Sequence, residues 1–366
     1  MNEKPVILFE SYPDFNGSPL EIYNELIKKG YDKKYDLIWA VYSDFNRQTN
    51  YKIIKFFNCE NKEKQNVLAR TKIIIDSNRY IQKPNKNCYR IHVRHGSPLK
   101  KVTRSCNLIG PVDAILTTSK QMLDCDKLEW PSYILDKFII TGYPATDKLF
   151  SPHNLYDCGF IKEITGENKR FNKIIGWLPT YRQYKTSNTR TYFPYGLPII
   201  KTLDDYEKMN KILTENNILL IIQQHHAQAN NYKYLENKSN IKFVNEDIKL
   251  KYNLATTDLL GNFDALITDY SAAYHEYIIL NRPIALTIDD LVEFSKNNGF
   301  IINYLDWIKG DYLLGTDDLN NWFNDIAKEI DKNKTEREIA LHKIHDHIDN
   351  KSTERVVNFL IENGIL

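Results

Sequence analysis

The chain has 366 residues, 42% hydrophobic and 26% charged, and its 49 Lys and Arg against 47 Asp and Glu leave a formal charge of +2. This composition excludes an intrinsically disordered chain and, with so little net charge, a protein whose main work is coating nucleic acid. The length exceeds one ordinary core, so two domains of roughly 150 residues each are expected.

Five cysteines, Cys59, Cys88, Cys106, Cys125 and Cys158, never fall in a C-x-x-C pair, so neither a disulfide framework nor a zinc site is suggested and a reducing compartment fits. The apolar run at 6–9 lacks the longer core and cleavage site of a signal peptide. No window reaches the ~18 to 20 apolar residues of a spanning helix, so any membrane attachment is expected to be peripheral.

Strand-length apolar runs fall at 6–9, 37–42, 73–75, 88–93, 114–117 and 138–140, with helical periodicity at 19–29 and 62–70 between them. The alternation predicts a parallel α/β sheet of Rossmann-like kind over 1–150. A polar stretch with Pro152, Gly159 and Gly166 makes 151–172 the linker. The pattern restarts over 173–331, with strands at 173–178, 218–223, 241–245, 265–268 and 283–287 and helices at 204–216 and 272–280. Residues 332–366 read as charged terminal helices, with a return onto the first domain as one arrangement.

Several strand ends carry chemistry. Ile73-Ile74-Ile75-Asp76-Ser77 is echoed by Leu266-Ile267-Thr268-Asp269-Tyr270-Ser271, and in parallel sheets ligands gather at such tips, so the two are expected to face one cleft. A plain helix cap explains Asp76-Ser77 equally well. In Arg94-His95-Gly96-Ser97-Pro98-Leu99-Lys100-Lys101 a strand delivers an imidazole beside backbone N–H groups suited to phosphate oxygens. Ser97-Pro98 as a helix start accounts for the turn but not for the histidine. Asp124-Cys125-Asp126 has a D-x-D look and is read as a solvated helix face; His342, His345 and His347 are read as surface residues, and no metal site is expected.

The second half opens with Ile174-Ile175-Gly176-Trp177-Leu178-Pro179-Thr180-Tyr181-Arg182, where an arginine at a strand tip offers forked donors to a diphosphate. Gln223-Gln224-His225-His226 ends another buried strand in histidine. Ser271 opens a helix whose first N–H groups suit a phosphate, with a plain Ser cap as the competing account.

Together these stretches resemble the CDP-glycerol glycerophosphotransferase family of teichoic acid and capsule enzymes. His95-Gly96-Ser97-Pro98-Leu99-Lys100 is similar to W-H-G-T-P-L-K, with Arg94 at the tryptophan position. Gly142-Tyr143-Pro144-Ala145-Thr146-Asp147 is similar to G-Y-P-R-x-D, Leu178-Pro179-Thr180-Tyr181-Arg182 to A-P-T-W-R, Gln223-Gln224-His225-His226 to K/R-x-H-P and Asp269-Tyr270-Ser271-Ala272 to T-D-Y-S-S. The matches run in family order from about residue 71 to 286.

The resemblance implies a glycosyltransferase B type fold, two Rossmann-like domains facing a cleft, with the acceptor at the first and a CDP-alcohol at the second. It implies His95 and His225 as catalytic residues and Arg182, Thr180, Asp269, Tyr270 and Ser271 at the donor, with Gly96, Ser97, Lys100 and His226 as further phosphate or acceptor contacts. The implied reaction moves glycerol phosphate from CDP-glycerol to a hydroxyl of a lipid-linked polymer, releasing CMP, at the cytoplasmic face of an anionic membrane and with no cofactor required. Departures at Arg94, Ala145, His226 and Ala272 touch the choice of donor and acceptor. A nucleotide-sugar glycosyltransferase and a non-catalytic nucleotide-binding module in capsule assembly are the rival readings.

Overall fold

The computed structural model describes residues 3–97, 99–101, 110–130, 132–180, 193–223 and 235–366. The chain divides into two compact units: Met1–Ser97 with Val102–Lys148 and Ile344–Leu366, and Pro98–Lys101 with Leu149–Lys343.

In the first unit seven strands form one parallel sheet: β1 (Val6–Phe9), β2 (Asp36–Tyr42), β3 (Ile53–Phe57), β4 (Thr71–Asp76), β5 (Tyr89–His92), β6 (Ala114–Thr117) and β7 (Phe138–Ile140), in the order β3-β2-β1-β4-β5-β6-β7. Strands covered on both faces read as unbroken apolar runs, and Val6–Phe9 and Ala114–Thr117 are buried at every position. Local polar residues set the helix starts: Asn61 accepts from Lys64 N–H at 2.7 Å and Ser119 from Met122 N–H at 2.9 Å. The strand order reverses between β1 and β4, the position at which open α/β sheets leave a crevice beyond their carboxyl ends.

The second unit repeats the plan with β8 (Lys173–Trp177), β9 (Ile218–Gln223), β10 (Ile241–Val244), β11 (Ala265–Thr268), β12 (Ile284–Thr287) and β13 (Asp311–Leu313), in the order β10-β9-β8-β11-β12-β13. Its reversal lies between β8 and β11. Gly176 sits in β8 where an added Cβ would stand 2.1 Å from the Phe263 ring, so the strand needs glycine for packing. The segment 151–172, read from sequence as a linker, lies in this unit, with Leu155, Phe160 and Ile161 buried.

The last helix, Ser352–Glu362, belongs to the first unit, where Val356, Val357 and Leu360 join Ile22 and Leu26 in one core. Asp147 caps it, accepting from Ser352 N–H at 3.0 Å, Thr353 N–H at 2.8 Å and Thr353 Oγ1 at 2.7 Å. Gly142 has φ of 75°, and a side chain there would meet Ser352 Oγ at 2.6 Å. The Gly142-to-Asp147 motif is thus the seat of the terminal helix. His345, expected at the surface, is buried in the turn after helix Lys334–Ile344, while His342 is exposed.

Candidate functional site

At the carboxyl edge of the first sheet, β1, β4 and β5 end side by side in Glu10, Asp76-Ser77 and Arg94-His95. Asp76 is fully buried and accepts from Arg90 Nε at 2.8 Å, His92 Nδ1 at 2.7 Å and Ile81 N–H at 3.2 Å. Burial would raise its pKa, but the bonds from His92 and the charge of Arg90 outweigh it and hold the carboxyl below the ordinary range. Asp76 is therefore a framework carboxylate, tying β4 to β5, and His92 lies buried beneath the edge.

His95 is different. Its ring is exposed, and Nδ1 lies 3.1 Å from the carbonyl oxygen of Ser77. A carbonyl only accepts, so Nδ1 carries the proton and Nε2 is left as the basic nitrogen. Its pKa is lowered, first by the desolvating surroundings and then by the Arg94 charge, against the opposing pull of the Ser77 carbonyl and Glu129. A neutral imidazole with a fixed tautomer is the state a general base needs near neutral pH.

Arg94, at the position of the family tryptophan, is buried with φ of 55°, a left-handed conformation that turns the chain toward His95. Its guanidinium pairs with Asp126 and, at 2.8 Å, with Glu129, and lies 5.5 Å from the Trp130 ring centre. This corrects the solvated-face reading of Asp124-Cys125-Asp126. In helix Lys120–Glu129 the positions 122, 125, 126 and 129 share the inward face, so Cys125 and Asp126 are buried and only Asp124 is on the solvated side. Gly96 has φ of 151° and Ser97 is buried. Leu99–Lys101 belongs to the second unit, where Ile301 N–H donates to Leu99 carbonyl oxygen and Lys100 bridges Phe300.

In the second unit Thr180, just after β8, reaches across the strand reversal to Asp269, after β11: its N–H lies 3.0 Å from each carboxylate oxygen and its hydroxyl also donates. Asp269 is fully buried, and its carbonyl accepts from Tyr304. Tyr270 stacks on Phe294 at 4.0 Å and donates to Asp290 at 2.8 Å, which places it in the core beneath the edge rather than on it. Ser271 Oγ accepts from Ala273 N–H at 3.2 Å, as a turn residue does, and only Thr180 and Ser271 of this group are half-exposed. Arg182, His225 and His226 lie outside the described residues; Gln223, at the end of β9, donates to Thr256 Oγ1. Among the described residues no cluster of three His, Cys, Asp or Glu could hold a metal, and no helix is long and apolar enough to cross a membrane.

A sequence profile of the family described as CDP-Glycerol:Poly(glycerophosphate) glycerophosphotransferase matches residues 1–362. The chain is 25% identical over 342 residues to a teichoic acid poly(glycerol phosphate) polymerase of Bacillus spizizenii, covering 86% of this chain and 82% of the relative. It is 28% identical over 225 residues to a teichoic acid glycerol-phosphate primase of Bacillus subtilis, covering 61% of this chain and 51% of the relative. The solved structure of the wall teichoic acid polymerase TagF superposes with a TM-score of 0.73 at 20% identity, over 99% of this chain and 89% of that one. That likeness is one of fold, two α/β units of the glycosyltransferase B type.

Proposed function

The chain belongs to the CDP-glycerol:poly(glycerophosphate) glycerophosphotransferase family, and from that premise we propose that it moves glycerol phosphate, or a related polyol phosphate, from a CDP-linked donor to a hydroxyl of a teichoic acid or capsular polymer. The observation that carries this reading is His95, an exposed imidazole whose Nδ1 proton is pinned by Ser77 and whose Nε2 is basic. In the proposed step the acceptor hydroxyl gives its proton to Nε2 as its oxygen attacks the phosphorus next to the polyol. The bond from that phosphorus to the bridging oxygen breaks, and CMP leaves. His225 protonates or stabilises the departing phosphate, while Arg182, Thr180 and Ser271 neutralise the donor's charge, with support from Asp269 beneath Thr180. Gly96, Ser97, Lys100 and His226 complete the proposed phosphate and acceptor contacts.

A donor screen tests the assignment. With polymer acceptor present, CDP-glycerol or CDP-ribitol is expected to yield CMP, and UDP-sugars no UDP. UDP release from a sugar donor with silence toward both CDP-polyols would move the chain to the nucleotide-sugar glycosyltransferases.

The proposed acceptor is lipid-linked, which places the work at the cytoplasmic face of an anionic membrane. Lys28-Lys29, Lys33-Lys34 and Lys100-Lys101 are the proposed contacts, although Glu25 pairs with Lys28 at 3.2 Å and Lys29 at 3.5 Å and offsets part of that charge. Flotation with anionic vesicles is expected to fall as salt rises; binding indifferent to salt would exclude an electrostatic attachment.

A further inference from the structure

We propose that Glu10 is a positioning residue for His95, holding through its side chain the turn after β4 whose carbonyl fixes the imidazole. Glu10 ends β1 at the reversal of the strand order and is fully buried. One of its oxygens, Oε2, accepts from two consecutive backbone N–H groups, Ser77 at 3.1 Å and Asn78 at 2.9 Å. The carbonyl of that same Ser77 is the acceptor for His95 Nδ1 at 3.1 Å. Three strand ends are thereby joined in one line: β1 holds the turn after β4, and that turn holds His95 in the loop after β5.

A buried carboxylate is a costly way to fill space, and an apolar side chain would serve packing alone. Burial, with the like charge of Asp76 added, pushes the Glu10 carboxyl up to about 7 against the bonds from Asn78, Arg79 and Ser77 N–H. The Arg79 guanidinium is 3.9 Å from Oε1, with Asp14 at 3.3 Å from its other end. Ser77 and Asn78 N–H both donate to one oxygen, so a protonated carboxyl or an amide oxygen in that place still accepts them, more weakly than a carboxylate. The reach of the oxygen matters more than its charge.

This inference rests on His95 acting as base, and the experiment separates the two. Glu10→Gln keeps the oxygen in place and removes the charge; Glu10→Asp keeps the charge and withdraws the oxygen by one methylene. In the full chain Glu10→Gln is expected to stay within about twofold of wild-type kcat, whereas Glu10→Asp falls by ~10-fold or more with the donor KM unchanged. Loosening the turn also removes the Ser77 bond that raises the His95 pKa, leaving desolvation and Arg94 to lower it against Glu129 alone. The acid limb of the Glu10→Asp rate profile therefore moves to lower pH, a displacement that general loosening of the fold would not give.

Ring ¹⁵N NMR supplies a readout independent of turnover: His95 should be the Nδ1–H tautomer in wild type and Glu10→Gln, and a mixture in Glu10→Asp. Wild-type kcat, tautomer and acid limb in Glu10→Asp, or equal losses in Glu10→Gln and Glu10→Asp, would overturn the proposal. Full turnover by His95→Ala would instead remove the catalytic reading, with the tautomer still deciding whether Glu10 orients the ring.

Discussion

His95→Ala is expected to lower CMP release by ~10²-fold or more while donor affinity stays nearly intact, the usual worth of a positioned acid–base group. The ring is held at Nδ1 by Ser77 and is exposed at the sheet edge, so its removal deletes a proton acceptor without opening a hole in the core. Turnover with polymer acceptor, beside donor titration by calorimetry, measures both halves of the expectation. His225→Ala should lower turnover similarly, with weaker donor binding, and His226→Ala belongs in the same series because an adjacent imidazole can stand in. The rate should fall on the acid side as His95 takes up a proton. Since the folded pKa is lowered, the inflection should lie below the ~6.5 of an ordinary imidazole. Near-normal release by folded His95→Ala would end the mechanism.

The second large effect is on stability. Asp76→Ala is expected to cost about 3–5 kcal/mol in urea unfolding, because it removes the carboxylate that pairs with the fully buried Arg90 guanidinium and takes the Nδ1 acceptor from His92. The folded pKa of Asp76 is depressed, so its contribution is complete above the unfolded carboxylate value of ~3.9 and is lost as pH falls through the folded one. His92, also depressed and kept neutral by burial, adds a penalty that begins as pH falls below ~6.5. Wild type should lose stability on acidification; Asp76→Ala should lack the part lost below ~3.9, while its His92 penalty grows because Asp76 no longer raises that pKa. His92→Ala should likewise affect stability before turnover. A cost below about 1 kcal/mol for Asp76→Ala would show that the other partners of Arg90, the Pro111 carbonyl among them, suffice to hold it.

Much of the scaffold is legible because parallel strands buried on both faces leave continuous apolar runs: 114–117, 218–223 and 265–268 coincide with β6, β9 and β11. The two strands not anticipated are edge strands. Ile53–Phe57 carries an exposed Lys55, and Asp311–Leu313 has three residues with Tyr312 exposed, so neither makes such a run. His95 is readable at a strand tip before glycine. Tyr270 is not readable in the same way: in a turn, sequence spacing does not tell which way a ring points, and this one points into the aromatic core. Glu10 carries no local signal at all, because its partners Ser77 and Asn78 lie 67 and 68 residues away. Asp147 likewise draws its meaning from Ser352 and Thr353, 205 and 206 residues later.

The seating of helix Ser352–Glu362 beside helix Gly17–Lys28 has a consequence for how the protein is made. On the ribosome the strands of the first unit emerge before the second unit, yet Val356, Val357 and Leu360, which close its core, emerge only after it. The unit translated first is therefore the one completed last, and until then the cap acceptor Asp147 and the apolar face around Ile22 and Leu26 wait for their partner. Contacts across more than 300 residues are slow to form. The second unit, Leu149–Lys343 apart from its short excursion at Pro98–Lys101, closes over nearly contiguous chain and is free to fold in that interval.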